Sequence, residues 1–104
     1  MYSERFSYIN INGNGISGTG SVLVNAGKTH LHTVTVNSVN AGNVGTFVLY
    51  DGVSPAGNAL TAPISGSITM SPVTLIYDAY LQSGLYVQCN TFNGNLTISW
   101  KMIA

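Results

Sequence analysis

The chain has 104 residues, enough for one domain with one modest core, since at this size roughly 65% of the unfolded surface can be buried. Its formal net charge is zero, and only 6% of its residues are charged, against about 25% in an average soluble domain. Three scattered cations cannot track a phosphate backbone or an anionic bilayer, so neither a nucleic-acid nor a membrane partner is expected, and three acids nearly exclude paired-carboxylate chemistry.

About two residues in five are Gly, Asn, Ser or Thr, while 45% are hydrophobic. That balance suits a folded β-protein whose surface is made of amides, hydroxyls and backbone. Residues 1–15 hold no apolar stretch of the signal-peptide kind, so synthesis in a cytoplasm is expected. They carry Tyr2, Phe6 and Tyr8 beside Glu4 and Arg5, then the flexible run Asn12-Gly13-Asn14-Gly15. Two readings fit: an aromatic arm on a Gly/Asn hinge that reaches a neighbour, or an ordinary edge strand of the same domain. On the first reading Tyr2, Arg5, Phe6 and Tyr8 form a partner interface. Residues 16–104 form the domain proper.

No segment sustains apolar spacing at i, i+3, i+4, i+7. Short β-branched runs separated by Gly/Asn/Ser/Pro clusters predict about eight strands in an antiparallel sandwich, jelly-roll or immunoglobulin-like. They fall at 6–11, 20–25, 29–39, 46–51, 64–70, 73–80, 85–90 and 96–103. The last two read as a hairpin turned at Asn93-Gly94. Period-2 phase selects the core: Leu85, Val87 and Cys89; Leu96, Ile98 and Trp100; Phe47 and Leu49. In 29–39 the phase groups Val34 and Val36 with His30 and His32, against Leu31, Thr33 and Thr35.

Few residues are equipped for chemistry. Cys89 is alone, so no internal disulfide forms, and its phase predicts a buried, inert thiol. Gly13-Asn14-Gly15-Ile16-Ser17-Gly18 matches G-x-G-x-x-G, but a dinucleotide loop needs a helix next and an acid about 20 residues on. A strand-like run follows instead, so this is a turn or hinge. No G-x-S-x-G occurs, and no catalytic residue or cofactor is assigned. His30 and His32 sit two apart on one strand face, a spacing compatible with one metal. The sequence places none of the candidate third ligands (Glu4, Asp51, Asp78 or Cys89) beside them, so a structural or interface role is expected and no metal site is assigned. Exposed tyrosines among Asn, Gln and Thr would also suit stacking on sugar rings.

His32-Thr33-Val34-Thr35-Val36-Asn37, then Gly45-Thr46-Phe47-Val48-Leu49-Tyr50-Asp51-Gly52, Tyr77-Asp78, Ser83-Gly84-Leu85-Tyr86-Val87 and Leu96-Thr97-Ile98-Ser99-Trp100-Lys101 form a series. It resembles the small β-sandwich structural proteins of tailed bacteriophages, most of all the head decoration (cement) proteins, from Ser17 to Lys101. Its motifs are turn and strand patterns that also occur in phage tail and fibre modules. The resemblance implies a non-enzymatic virion component on the phage head surface. It implies a homotrimer that binds and stabilises the shell of major capsid protein, with terminal arms making contacts. The alternative is a carbohydrate-binding or adhesion module of a tail or fibre.

Overall fold

The computed structural model describes residues 6–14, 20–40, 45–66 and 72–103. Nine strands follow in chain order: β1 (Ser7–Asn14), β2 (Val22–Ala26), β3 (Thr29–Val39), β4 (Thr46–Asp51), β5 (Asn58–Ala59), β6 (Ile64–Ser65), β7 (Val73–Leu81), β8 (Gly84–Asn90) and β9 (Asn93–Met102). No helix occurs among the described residues. Two antiparallel sheets pack face to face, one ordered β1-β9-β3-β7 and the other β2-β8-β4-β5, with β6 also on β4. The two-residue strands β5 and β6 pair opposite ends of β4, so together they act as one interrupted edge strand. Counted that way, β1 pairs the last strand, β2 the next to last, β3 the one before it, and β4 its own successor. This is one long hairpin folded over on itself, the jelly-roll order, and not the immunoglobulin arrangement.

The core is the apolar phase of these strands. Leu31, Val34, Val36, Phe47, Leu49, Leu85, Val87, Cys89, Phe92, Leu96 and Ile98 are fully buried, and Trp100 packs partly buried against them. Burial pushes the Cys89 thiol up to about 11, because an apolar surrounding disfavours the thiolate. Residues 7–14 form an edge strand: β1 pairs β9 from Ser7↔Trp100 to Asn14↔Asn93, and Ile11 lies in the core.

Two sequence expectations are corrected. The first concerns β3. Leu31 does not face away from Val34 and Val36; all three are in the core. Register shifts between Leu31 and Thr33 against both β9 and β7, and again between Val36 and Ser38 against β9. Each extra residue resets the alternation. The inward positions are therefore 29, 31, 34, 36 and 39, and His30 and His32 point outward instead of sharing the core phase. The second concerns the expected hairpin of β8 and β9. These strands lie in different sheets. The chain crosses between them at Thr91, whose φ of 55° is positive, and Phe92, which is fully buried and meets Phe47 edge-on at 5.2 Å. Asn93 and Gly94 lie inside β9, not in a turn. Gly94 is required for closeness: a Cβ there would strike the Ser38 carbonyl and the Phe92 ring.

The reset phase is testable. Leu31→Ala should cost about 2–5 kcal/mol as a large-to-small core change. Thr33→Ala should stay within about 0.5 kcal/mol, as surface changes do. Urea denaturation of both variants decides it; equal, small effects would contradict the bulge.

Candidate functional site

The outer face of the β1-β9-β3-β7 sheet carries the most distinctive side-chain arrangement. Cross-strand partners share a face, so Tyr8, Ser99, Thr33 and Ile76 form one row and Lys101, His30 and Tyr80 another. Farther along, the contacts are neutral. Thr35 and Thr74 hydroxyls bond at 3.1 Å, Asn37 donates to Thr97 at 2.7 Å, Thr97 donates to Asn10 at 2.6 Å, and Asn95 donates to Ser38 at 2.9 Å. Amide and hydroxyl groups here satisfy one another, which limits the cost of covering them.

At the other end sits a cluster of two histidines and one aspartate. His30 Nε2 lies 3.1 Å, and His32 Nδ1 2.5 Å, from the same Asp78 oxygen, Oδ1. An ionised carboxylate only accepts, so each of those nitrogens carries the proton it donates. The backbone is bent to make this possible. Against β9 the extra residue is His32 on β3, but against β7 it lies on β7, where Tyr77 and Asp78 together oppose His32, and Asp78 holds φ at 45°. A left-handed conformation costs an L-residue roughly 1–2 kcal/mol, least for Asn and Asp. Phe6 stacks on His32 with ring centroids 4.5 Å apart and meets His30 edge-on at 5.2 Å. Tyr80 lies 5.0 Å from His30, and Lys101 Nζ sits 5.2 Å from the Phe6 centroid. Aromatic packing thus orients both imidazoles. Exposure of the side chains rises from His30 (15%) through His32 (37%) to Asp78 (50%).

The sequence-derived interface residues divide. Phe6 packs on its own sheet, against the histidines and Lys101. Tyr8 is 72% exposed on the same face. Tyr2 and Arg5 lie outside the described residues. Of the G-x-G-x-x-G match, Gly13 and Asn14 belong to β1 and residues 15–18 lie outside the described set; strand β2 follows. Asp78 was one of several candidate third ligands in the sequence, and the pairing of β3 with β7 brings it to the histidines. Asp51, another of those candidates, is used elsewhere: its two oxygens accept from the backbone N–H groups of Gln82 and Ser83 at 3.1 and 2.9 Å, clamping the β7–β8 turn. The depression lined by Asp51, Gly52, Val53, Asn58 and Ser83 is open to solvent.

The chain matches no known protein-family model and no curated protein sequence.

The hydrogen bond from His32, then that from His30, holds the Asp78 carboxyl below the ordinary value of 3.8. A carboxyl depressed by folding contributes stability that is fully present above that ordinary value. The contribution is lost as pH falls below 3.8 and through the folded-state pKa. A carbon-13 NMR titration should find the Asp78 carboxyl depressed in the native chain and shifted back up in the His30→Gln/His32→Gln variant. An unmoved midpoint would clear the histidines of that effect.

Proposed function

We propose that this chain is a non-enzymatic structural protein of a tailed-phage virion. In this reading it is a head decoration protein that oligomerises as a trimer and stabilises the shell by binding the major capsid protein. The observation that carries the reading is the outer face of the β1-β9-β3-β7 sheet. Away from the cluster of His30, His32, Asp78 and Lys101 it is lined by neutral groups, and it exposes Tyr8 (72%), Ile76 (72%) and Tyr80 (70%). Exposed large apolar groups among self-satisfied amides and hydroxyls suit contact with another protein, where aromatic anchors supply most of the affinity. The jelly-roll architecture recurs in viral capsid proteins and in lectins, and the turn and strand series resembles the cement proteins. Repetition over many equivalent lattice sites multiplies modest contacts by avidity.

A second reading rests on the same tyrosines. Tyr8 lies one row from Asn10 and Thr97, and exposed Tyr80 lies on β7 at the opposite edge of the sheet; exposed aromatic rings among amides and hydroxyls are suitable chemistry for a sugar. A carbohydrate-binding module of a tail or fibre would use them so.

The two readings separate in one set of measurements. Purified protein is added to expanded heads that lack it, and occupancy is followed by sedimentation and electron microscopy. The cement reading expects trimers that bind heads. It expects Tyr8→Ser/Ile76→Ser to weaken binding by about 2 kcal/mol or more, roughly 30-fold. A monomer that ignores heads but binds a glycan array, with binding lost in Tyr80→Ala, would replace it with the second reading.

A further inference from the structure

We propose that His30 Nε2, His32 Nδ1 and Asp78 Oδ1 form a binding site for one divalent transition-metal ion of the zinc type. The inference does not rest on the virion reading.

The geometry is close to what such an ion requires. Zinc bonds to imidazole and carboxylate are about 2.0–2.2 Å long, which holds tetrahedral ligand atoms about 3.3 Å apart. Here the carboxylate oxygen lies 3.1 and 2.5 Å from the two nitrogens, and all three ligand atoms fall within 4.8 Å of one another. Insertion of the ion therefore needs the two ring nitrogens, which lie within 4.8 Å of each other, to settle about 3.3 Å apart, and the carboxylate to retreat by a fraction of an ångström to about 1 Å. Asp78 is half exposed and has room to do so. Both imidazoles already aim one nitrogen at the common point.

Proton balance is simple. A ligating nitrogen must offer its lone pair, so the proton it now donates to Asp78 has to leave. A neutral ring moves that proton through solvent to its other nitrogen, Nδ1 in His30 and Nε2 in His32. A protonated ring releases one proton to solvent. Uptake therefore weakens in acid as protons compete for the same lone pairs.

The donor set selects the ion. Two imidazoles and one carboxylate suit zinc and its first-row neighbours, while magnesium and calcium prefer all-oxygen cages. Three protein ligands leave a fourth position to water or to a donor from outside. Among the described residues, the charged groups facing the cluster are few. Lys101 on β9 is the partner of His30 across the sheet, but its ammonium is placed over the Phe6 ring. On β7 the neighbour is the phenol of Tyr80.

Three features show a built site rather than a chance meeting. A bulge sets His32 opposite two residues of β7. Asp78 accepts a left-handed backbone inside a strand, and such strain gathers where geometry serves a function. Phe6 and Tyr80 fix the ring planes. In a chain with three acids and two histidines, one acid and both histidines converge here.

The test is calorimetric titration of the untagged full chain with zinc chloride near neutral pH, with circular dichroism to verify folding. One ion per chain is expected, undiminished by excess magnesium. Asp78→Asn keeps a residue that tolerates the left-handed backbone, so it should fold. It and His32→Gln should each weaken zinc binding by more than about 100-fold, beyond the 10- to 100-fold typical of losing an outer partner. Bound cadmium should shift the nitrogen-15 signals of His30 Nε2 and His32 Nδ1 and leave the opposite ring nitrogens unligated. A folded wild-type chain that takes up no zinc overturns the proposal. So does uptake that survives in His30→Gln/His32→Gln.

Discussion

Burial of one face of each sheet against the other is the constraint from which the remaining features follow. The facing residues Leu31, Val34, Val36, Leu96 and Ile98 of one sheet, and Phe47, Leu49, Leu85, Val87 and Cys89 of the other, are all fully buried. A strand can place only alternate residues on one face. Strand β3 is paired on both sides, so it cannot tilt away to choose which residues it buries. It keeps Leu31 and Val34 in one core only by giving up an alternation step at His32. The outward direction of the histidine pair follows from that core requirement, and a second irregularity, an extra residue on β7, sets His32 opposite Tyr77 and Asp78.

The outer face obeys a different balance. With 6% charged residues, the chain does not depend on mutual repulsion to remain apart from its neighbours. Its polar groups are paired laterally, Asn to Thr and Thr to Thr across strands, so little free hydrogen-bonding capacity would be stranded if the face were covered. In the proposed docking role, exposed Tyr8, Ile76 and Tyr80 would supply the apolar contacts. The Asp78 cluster is the exception: it concentrates ionisable groups in a surface that otherwise avoids them, and it confines them by aromatic packing.

Much of this was legible in the sequence, and the rest was not for identifiable reasons. The bounds of 29–39 and 46–51 coincide with β3 and β4, and the alternation in 85–89 and 96–98 marks true core residues, because regular alternation is a local property. Bulges are not. Strict alternation puts Leu31 on the outer face, because nothing local marks the extra residue at His32. Asn93-Gly94 carries the chemistry of a hairpin turn, yet the chain changes sheets two residues earlier, at Thr91 and Phe92, and Gly94 answers to a crowding carbonyl from β3. Both errors have one origin: the cause lies on a neighbouring strand. Asp78 is the same case. It is 46 residues from His32, and only the β3–β7 register joins them.

That register also makes the proposed docking face and the proposed ion site separable, although they occupy one sheet. Tyr8 and Ile76 lie in the row of Ser99 and Thr33; the imidazoles have their ring contacts with Phe6 and Tyr80. Loss of Tyr8 and Ile76 removes apolar anchors without removing a ligand or a ring that orients one. Loss of Asp78 removes a ligand without changing the apolar area of the Tyr8 row. Tyr80 belongs to both, since it is exposed and packs on His30. An occupant of the face that reached Tyr80 would also meet the ring that orients His30, so docking and ion binding would be linked there, each changing the other by the same factor.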